Sequence, residues 1–518
     1  MSEQRHVIMV AAENAALKGG KVGGVADVVH ELPEALVPLG WRSTVIIPSY
    51  GFLHQRNESK LLVRLYFPFR GQRHIAEFWE ATSTNPNPSI RNIIVHHPWI
   101  GGEPIYFNDP ADQAFARDAS KYALFCSAVG QFLKTPTMEG VLHLHDWHAA
   151  TMLLLRDLHH EFSHLNNFKT IYTIHNLGIQ GTRPMRNNDS SLEGWFPELF
   201  HYTEWAQHWK DPRYDGWFYT PMLQGIRGAH RINTVSPTYA QEILRSSHKG
   251  NGYCGGEGLE LFLQQVQTEG RLFGILNGCT YLETKATPLS ASALMELIYN
   301  EVNEYRIEMG GLTHEDSLRK LRWLQALQPN AVLTSVTRVT EQKVKLLCEK
   351  DSYGKIAFDS IAAKLNESNG VYIILGAGTA DYEWYLSEAS RYHERVVFLR
   401  GYSEKIAKAL YSSGTMFIMP SSYEPCGISQ MLAMREGQPC IVHGVGGLKD
   451  TVWHDVNGFV FEGWTIHDKV NNFVGTVRYA VELAVHNKPR WEEIKQAAQA
   501  ARFDWESAAK KYEEMYLG

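Results

Sequence analysis

The sequence predicts an α/β protein built from two doubly wound, Rossmann-like domains that face each other across a cleft. Two stretches of the chain alternate short apolar strands with helices, which is the pattern of parallel sheets covered on both faces. A mostly helical stretch separates them. The length of 518 residues also suits two large domains. Ligands of such sheets bind at the carboxyl ends of the strands, so we expect a site in the interdomain cleft.

The composition is typical of a soluble globular protein, with 44% hydrophobic and 20% charged residues. The formal net charge of -6 does not favour a general nucleic-acid-binding protein. The apolar run at Val7–Ala12 is too short for the core of a secretory signal, and no run reaches the ~18 residues that span a membrane. Six scattered cysteines without a CxxC pair are typical of a reducing compartment. We therefore expect a cytoplasmic protein with neither a nucleic-acid nor a membrane partner.

The first domain is predicted to span residues 1–285. Helices are expected over Gly23–Leu39 and Asp112–Leu133. The strand candidates are short and apolar, and each opens into polar or glycine-rich sequence. These candidates are His6–Ala12, Trp41–Pro48, Arg91–His97, Val141–His145, Lys169–His175, Arg231–Val235 and Arg271–Leu276.

A helical linker is predicted over residues 286–329, with helices at Ser292–Met309 and His314–Leu327. The second domain is predicted to span residues 330–500, where strands and helices alternate again. Residues 501–518 are predicted to form a final helical segment, with its helix at Trp505–Tyr516. The strand candidates of the second domain are Asn330–Val336, Val371–Gly376, Arg395–Leu399, Met416–Pro420, Pro439–His443 and Gly458–Phe461.

A lysine followed by two glycines lies where the first strand gives way to the first helix. Gly23 and Gly24 let the backbone approach a ligand closely, and a helix N-terminus offers N–H groups to an anion. Lys21 adds a positive charge. The motif predicts an anion site, although a tight turn without a ligand has the same pattern.

Histidines cluster in two further motifs of the first domain. In His143–His148, at the end of a strand, Asp146 could contact a sugar, whereas the alternation of side chains along a strand disfavours a three-histidine metal site. His160–His164 matches the HExxH pattern of zinc proteases, but its place at a helix end favours a solvated turn. His175 follows another strand and is either a buried structural histidine or a ligand of sugar hydroxyls. We expect no metal site.

Two cations follow the first strand of the second domain. Arg338 and Lys343 lie five residues apart and could reach both phosphates of a nucleoside diphosphate. Preorganised cations stabilise the charge that builds on such a leaving group. The alternative is that Arg338 and Lys343 are ordinary surface residues, which can have the same spacing.

The most informative stretch runs from Pro420 to Gln430, between a strand and a helix. Glu424 is placed to hold sugar hydroxyls or to steady positive charge. The amides around Cys426, Gly427 and Ile428 could cradle a diphosphate. Tyr402, after another strand, could stack on a nucleobase or belong to the core.

Eight of these segments, taken together and in this order, resemble the bacterial glycogen synthases and plant starch synthases over most of the chain. The segments are Lys21–Gly24, His145–Trp147, Thr173–Asn176, Thr234–Tyr239, Leu276–Gly278, Arg338–Lys343, Glu424–Gly427 and Gly446–Thr451. The resemblance implies the GT-B architecture, in which a C-terminal helix crosses back onto the first domain. The helix at Trp505–Tyr516 is similar to that element.

The resemblance also implies a retaining glucosyltransferase that adds glucose from ADP-glucose or UDP-glucose to the non-reducing end of an α-1,4-glucan. The family needs no obligatory metal or other cofactor. By this similarity Arg338 and Lys343 would bind the donor diphosphate and Tyr402 the base, while Lys21, Gly23 and Gly24 would contact the distal phosphate or sugar. Glu424 would hold the glucose ring, with Asp146, His175 and Asn277 around it.

The chain departs from the family pattern at several positions. Thr280 stands where an Asp is usual, Gln224 where a Lys is common, and the turn at 376–381 is altered. Two extra residues lie between Glu13 and Lys21. These departures leave open a different acceptor, or a catalytically weakened glucan-binding protein of the same fold. A nicotinamide oxidoreductase is the least favoured alternative, because no GxGxxG follows the first strand.

Overall fold

The computed structural model describes residues 5–102, 105–106, 116–136, 138–201, 209–214, 217–281 and 287–518. Two sheets organise the chain, one of nine strands and one of seven. Alternate residues of each central strand enter different hydrophobic cores. Ile8 and Val10 pack on one face of the first sheet, whereas Val7 and Met9 pack on the other. Both faces of the sheet are therefore covered, as the apolar strand sequences predict.

The nine-stranded sheet has the spatial order β11-β10-β7-β6-β1-β2-β5-β4-β3, and its neighbouring strands are parallel except that β4 runs antiparallel to both β5 and β3. A separate ribbon pairs β8 with β9. The strands are β1 (Arg5–Val10), β2 (Trp41–Pro48), β3 (Ser59–Phe69), β4 (Gln72–Ala81), β5 (Ile90–His96), β6 (Val141–His145), β7 (Lys169–Ile174), β8 (Arg183–Pro184), β9 (Phe218–Tyr219), β10 (Arg231–Thr234) and β11 (Leu272–Gly274).

Helices surround this sheet, and 3₁₀ turns join several of them to the strands. The helices are α1 (Gly24–Leu36), α2 (Leu53–Arg56), α3 (Ala116–Phe132), α4 (Asp146–Leu158), α5 (Leu192–Trp195), α6 (Pro221–Gly228), α7 (Pro237–Glu242) and α8 (Glu260–Thr268). The 3₁₀ turns are Val37–Leu39, Pro98–Ile100, His160–Asn167, Pro197–His201 and Lys249–Asn251.

The hairpin of β3 and β4 was absent from the sequence prediction. Its residues alternate between covered and exposed faces, and the two strands join through Arg70 and Gly71, which both have positive φ angles of 52° and 67°. Two such residues make the type of turn that matches the twist of a hairpin. The hairpin extends the predicted sheet with antiparallel strands at one edge.

The seven-stranded sheet has the order β12-β15-β14-β13-β16-β17-β18 and is parallel except at β12. Its strands are β12 (Glu308–Met309), β13 (Ala331–Val336), β14 (Gly370–Gly376), β15 (Val396–Arg400), β16 (Met416–Met419), β17 (Cys440–His443) and β18 (Gly458–Phe461). The helices are α9 (Ala291–Asn303), α10 (His314–Leu327), α11 (Glu341–Cys348), α12 (Ala357–Glu367), α13 (Ala380–Tyr392), α14 (Glu404–Ser413), α15 (Ser429–Arg435), α16 (Gly446–Thr451), α17 (Ile466–His486), α18 (Lys488–Ala500) and α19 (Trp505–Leu517).

The segment predicted as a linker is part of the second core. Leu294 and Ile298 of α9 and Leu321 of α10 pack against Val332 and Val371 of the sheet. The end of the helix predicted at Ser292–Met309 instead forms β12, the antiparallel edge strand. Helical periodicity identified the helices, but it could not show that their apolar faces cover one side of the sheet.

The last helix, α19, returns to the first sheet. Tyr516 donates or accepts a hydrogen bond of 2.8 Å with His143 Nδ1, and Asn233 Nδ2 donates to the Tyr512 hydroxyl at 3.2 Å. Trp505, Tyr512 and Tyr516 are buried in the core on that face. The predicted crossover of the C-terminal helix is therefore present.

Each predicted strand is present, with bounds shifted by at most two residues. The predicted helix at Asp112–Leu133 begins outside the described residues and is observed as α3. Among the described residues, none of the helices is both long and apolar enough to cross a bilayer.

Candidate active site

The predicted site residues follow the carboxyl ends of strands in both sheets. Asp146 and His175 follow β6 and β7, and Glu424 follows β16. The two sheets approach each other at this place, because Ser236, after β10, donates from Oγ to the carbonyl oxygen of Pro425 at 2.5 Å. The loop that carries Glu424 therefore lies against the first domain.

Lys343 and Glu424 form an ion pair at this loop. Their side chains are only 11% and 8% exposed, and Lys343 Nζ contacts Glu424 Oε2. Lys343 lies in the first turn of α11. Its neighbour Gln342 anchors the loop twice, by donating from Nε2 to Tyr423 O at 2.9 Å and by accepting from Ser422 N at 2.7 Å. The structure thus brings together the ammonium and the carboxylate that the sequence assigned to one site.

Arg338 lies in the turn between β13 and α11. The turn is fixed by the hydrogen bond from Thr340 N to Arg338 O, at 3.1 Å, and by the bridge between Val339 and Gly378. The Arg338 side chain is exposed and makes no ion pair with a described residue. The Arg338 guanidinium therefore comes from the turn that leads into the helix of Lys343, and it forms no ion pair with Glu424.

The loop from Cys426 to Ile428 leads into α15, whose N-terminus has no side-chain cap. Gly427 has a φ of 77°, and a Cβ atom there would lie 2.5 Å from Gln430 Oε1. Cys426 is buried and packs in one apolar cluster with Cys279, two residues after Asn277 in the first domain. Asn277 is also buried, and its Oδ1 has no partner among the described residues. The structure places Asn277 beside the Glu424 loop.

Asp146 and His175 are adjacent in the first domain. Asp146 has a φ of 55°, and its Oδ1 accepts a hydrogen bond from His175 N at 2.8 Å. The His175 ring shares a hydrogen bond of 2.9 Å with His145. Burial raises the pKa of Asp146 to about 7 and lowers the pKa of His175 to about 3. His175 is therefore a neutral imidazole near neutral pH, held in place through its own backbone.

A residue that sequence reasoning missed, Glu13, organises the lysine–glycine motif. Its Oε2 accepts from Val22 N at 2.6 Å and from Gly23 N at 2.7 Å, and its Oε1 accepts from the Tyr106 hydroxyl at 3.1 Å. The expectation that these amides are open to an anion is therefore wrong for Val22 and Gly23.

The two glycines of that motif differ in the space around them. A Cβ on Gly23 would lie 3.0 Å from Glu13 Oε1, whereas a Cβ on Gly24 would meet nothing within 4 Å. Lys21 is exposed and pairs with Asp27 at 2.6 Å. A glutamate directly after an apolar first strand was the only sequence signal for Glu13.

Tyr402 follows β15 and is 71% exposed, so it is not a core residue. Next to it in the sheet, the altered turn at 376–381 keeps the Gly378 amide occupied, since that N–H donates to Glu383 Oε1 at 2.6 Å. Tyr423 was not predicted as a site residue, but its hydroxyl lies against Gly178 of the first domain, where a Cβ atom would be 3.6 Å from it.

The other departures lie outside this cluster. Thr280 is exposed and donates to Glu31 Oε2 at 2.7 Å. Gln224 is buried in α6, where its Nε2 donates to Trp209 O at 3.1 Å. It lines a cavity of about 530 Å³ between α6 and α8, which none of the predicted site residues lines.

The histidine motifs have structural partners. His143 is buried between the Thr173 and Tyr516 hydroxyls, and His164 bonds the Gly130 carbonyl at 2.9 Å. His160–Asn167 is a 3₁₀ turn after α4, not the single helix that the zinc-protease pattern requires. In the part of the chain that the structure describes, His, Cys, Asp and Glu side chains form no group of three that could hold a metal ion.

Sequence comparisons match the chain to known families. The family described as starch synthase catalytic domain matches residues 6–265, and the family described as glycosyl transferases group 1 matches residues 355–476. The glycogen synthase of Gloeobacter violaceus is 30% identical, with 98% of each chain covered. The glycogen synthase of Bacillus cereus strain Q1 is 28% identical, with 96% of each chain covered.

Solved structures with a similar fold cover the whole chain. The catalytic domain of starch synthase IV from Arabidopsis thaliana, bound to ADP and acarbose, superposes with a TM-score of 0.75 at 22% identity over 99% of each chain. The sucrose-phosphate synthase of Thermosynechococcus elongatus gives 0.57 at 16% identity, over 99% of this chain and 98% of that one. The predicted fold of two Rossmann-like domains is confirmed.

Proposed function

Because this chain belongs to the glycogen and starch synthase family of glycosyltransferases, we propose that it transfers glucose with retention from ADP-glucose to the non-reducing end of an α-1,4-glucan. That the chain is a glucan glycosyltransferase of GT-B fold follows from its membership. The identity of the donor and the roles of individual residues are the proposal. The observation that carries it is the ion pair of Lys343 with Glu424, in a loop that touches the first domain.

Departure of the nucleoside diphosphate is the step that these cations would assist. Lys343 would exchange its contact with Glu424 for an oxygen of the donor diphosphate, and the exposed Arg338, in the turn before α11, would bind the other phosphate. Negative charge builds on the leaving group as the glycosidic bond breaks, so fixed cations stabilise the transition state more than the ground state. Glu424, released from Lys343, would accept hydrogen bonds from the glucose hydroxyls.

The first domain would hold the other side of the glucose ring. Neutral His175 can donate or accept a hydrogen bond with a sugar hydroxyl, and its bond to His145 sets its orientation. The buried Oδ1 of Asn277, which no described residue bonds, is the kind of acceptor that a ligand hydroxyl satisfies. Asp146 would act through His175 and the amide of that residue.

The preference for ADP-glucose over UDP-glucose rests on the relatives. Bacterial glycogen synthases match the whole chain, and the starch synthase IV structure holds ADP. Tyr402, exposed after β15, is the proposed stacking partner of the base. We propose a cytoplasmic location, since the six cysteines, all within the described ranges, form no disulfide.

The test measures nucleotide release and glucan elongation with each donor, with and without glycogen. Wild-type enzyme is expected to release ADP only when glycogen is present. Lys343→Ala and Glu424→Ala should each lower the transfer rate by about 100-fold or more, as expected for the loss of a group that stabilises developing charge.

Lys345→Ala is the matched control, because Lys345 lies on the same helix and its one ion pair with a described residue is with Glu341, at the surface. Its rate should stay within about twofold of wild type. Wild-type enzyme that releases neither nucleotide from either donor with glycogen would contradict the assignment. Glucan binding without turnover would instead indicate the weakened binding protein.

A further inference from the structure

Two short segments of the chain, Pro237–Glu242 and Gly446–Thr451, meet at the interface between the domains. They form the short helices α7 and α16, one in each domain. Neither segment has a role in the proposed chemistry. Their contacts are hydrogen bonds between a carboxylate on one helix and the N-terminal backbone of the other.

The contacts are reciprocal. Asp450, on α16, accepts from Thr238 N at 2.9 Å and from Thr238 Oγ1 at 2.7 Å, at the start of α7. Glu242, the last residue of α7, accepts from Gly446 N at 3.0 Å, at the start of α16. Each helix thus caps the amino end of the other. A carboxylate is favoured there because the first N–H groups of a helix lack intrahelical partners.

The helix α16 also supports the loop that carries Glu424. Gly447 N donates to Glu424 O at 3.1 Å. A Cβ on Gly446 would lie 1.9 Å from Glu424 O, and one on Gly447 would lie 2.1 Å from Cys426 O. The backbone of the loop therefore rests directly on the first turn of α16, with no room for a side chain between them.

The residue that caps α7, Ser236, contacts the same loop from the first domain. Its hydroxyl donates to Pro425 O at 2.5 Å. Val235 and Cys279 of the first domain pack with Cys426 and Met431 of the second in a small apolar cluster. The loop that carries Glu424 is thus hydrogen-bonded to α16 on one side and to Ser236, the residue that caps α7, on the other.

We propose that Thr238, Glu242, Gly446 and Asp450 form an interdomain latch that positions the loop from Pro420 to Ile428 when the domains close. This inference rests on the proposed function only for the effect of the latch on catalysis. Glu242 and Asp450 are positioning residues, since they bond α16 and α7, the two helices beside the Glu424 loop, and not the substrate. Closure of the latch joins α7 to α16. The first turn of α16 then fixes the position of the Glu424 backbone in the cleft.

Hydrogen exchange tests the latch without requiring turnover. In Asp450→Ala and Glu242→Ala, backbone amides at 236–242 and 446–451 should exchange at least about tenfold faster, the scale expected when a charge-assisted hydrogen bond is lost. The proposal further requires faster exchange at 420–428, in the loop that neither side chain touches. Glu242→Gln keeps an acceptor oxygen for Gly446 N and should stay close to wild type.

Asp316→Ala is the matched control. Asp316 accepts from Thr313 Oγ1 at 2.7 Å and Thr313 caps the same helix, so this pair has the chemistry of Asp450 and Thr238 within one domain. It should leave exchange at 420–428 unchanged. In the transfer assay, Asp450→Ala should lower kcat by about tenfold with the KM for the donor changed less, because the loop acts on the reacting sugar.

Each outcome decides the matter. Unchanged exchange at 420–428 in both alanine variants would overturn the latch, whatever happens to the rate, and so would an equal effect of Asp316→Ala. If the wild-type chain transferred no glucose while the loop amides still responded to Asp450→Ala, the latch would stand and the proposed function would fail.

Discussion

At the scale of single residues, the Glu13 carboxylate holds the turn of a predicted motif in place. One buried carboxylate binds two consecutive amides of the Val22–Gly23 turn and the hydroxyl of Tyr106. Burial raises the pKa of Glu13, and the hydrogen bonds from Gly23 and Val22 act in the opposite direction. Glu13 therefore shapes the turn on which Lys21 is presented.

We predict that Glu13→Ala raises the KM for the sugar-nucleotide donor and destabilises the chain by about 1 kcal/mol, because two partly buried amides lose their acceptor. Glu13→Gln keeps one oxygen for these amides and should be close to wild type in KM. Donor KM and urea unfolding of both variants are the measurements. An unchanged KM in Glu13→Ala would show that the turn does not contact the donor.

At the scale of elements, the docking of α19 depends on a buried histidine. His143 bonds both Tyr516 of α19 and Thr173 of β7. Burial lowers the pKa of His143 to about 3, from the usual 6.5. The unfolded chain therefore takes up a proton at this residue at a higher pH than the folded chain does, and stability contributed by the neutral ring is lost as the pH falls below about 6.5.

We predict that His143→Gln destabilises the chain near neutral pH and that this penalty shrinks in acid. The expected loss for the wild-type histidine is about 1.4 kcal/mol per pH unit below its unfolded pKa, or about 2 kcal/mol at pH 5. Denaturant unfolding of wild type and variant at about pH 7.5 and about pH 5 measures the difference. His486→Gln, at an exposed position, is the control. A penalty that is the same at both pH values would contradict the prediction.

The sequence predicted the parallel strands but not the β3–β4 hairpin, for a physical reason. Buried parallel strands are continuous apolar runs, such as Val7–Val10, that end in polar residues. Ser59–Phe69 has one exposed face over much of its length and contains Pro68, so it lacks that signature. The Arg70–Gly71 turn between two alternating stretches was the available signal.

The same limit applies to the site. Lys343 and Glu424 could be placed together, because each follows the carboxyl end of a strand in one sheet and such ends share an edge. The role of Glu13 at the Lys21 turn and the pairing of Asp450 with Thr238 could not be predicted from residue spacing. These contacts depend on how a loop folds back or on how two domains dock, and Thr238 and Asp450 are separated by more than 200 residues of chain.

At the scale of the whole molecule, the two domains meet through contacts that can separate. Besides the apolar cluster around Cys426, polar contacts join the two domains. They include the latch, the bonds from Ser236 to Pro425 O and from Arg435 to Thr280 O, and the bonds from Lys469 Nζ to the carbonyls of Asn251 and Gly252. Interfaces of this polar kind permit domain motion. A donor that enters between Lys343 and Glu424 would need such motion, and closure afterwards would exclude water.

The assembled cleft also determines whether the reaction depends on a metal ion. In the proposed reaction the positive charge comes from protein side chains. Lys343 at the Glu424 loop and the exposed Arg338 would neutralise the departing diphosphate, which in other transferases is the task of a divalent cation. We therefore predict that dialysis against EDTA leaves the rate of glucose transfer within about twofold of the untreated enzyme. Transfer to glycogen is measured before dialysis, after it, and after Mg²⁺ or Mn²⁺ is added back. The same assay on Lys343→Ala tells the two sources of positive charge apart. This variant should remain slow with either ion if the ammonium acts on the diphosphate itself. A rate that falls about tenfold with EDTA and recovers with Mg²⁺ would assign that role to a metal, and the electrostatic part of the proposed mechanism would be wrong.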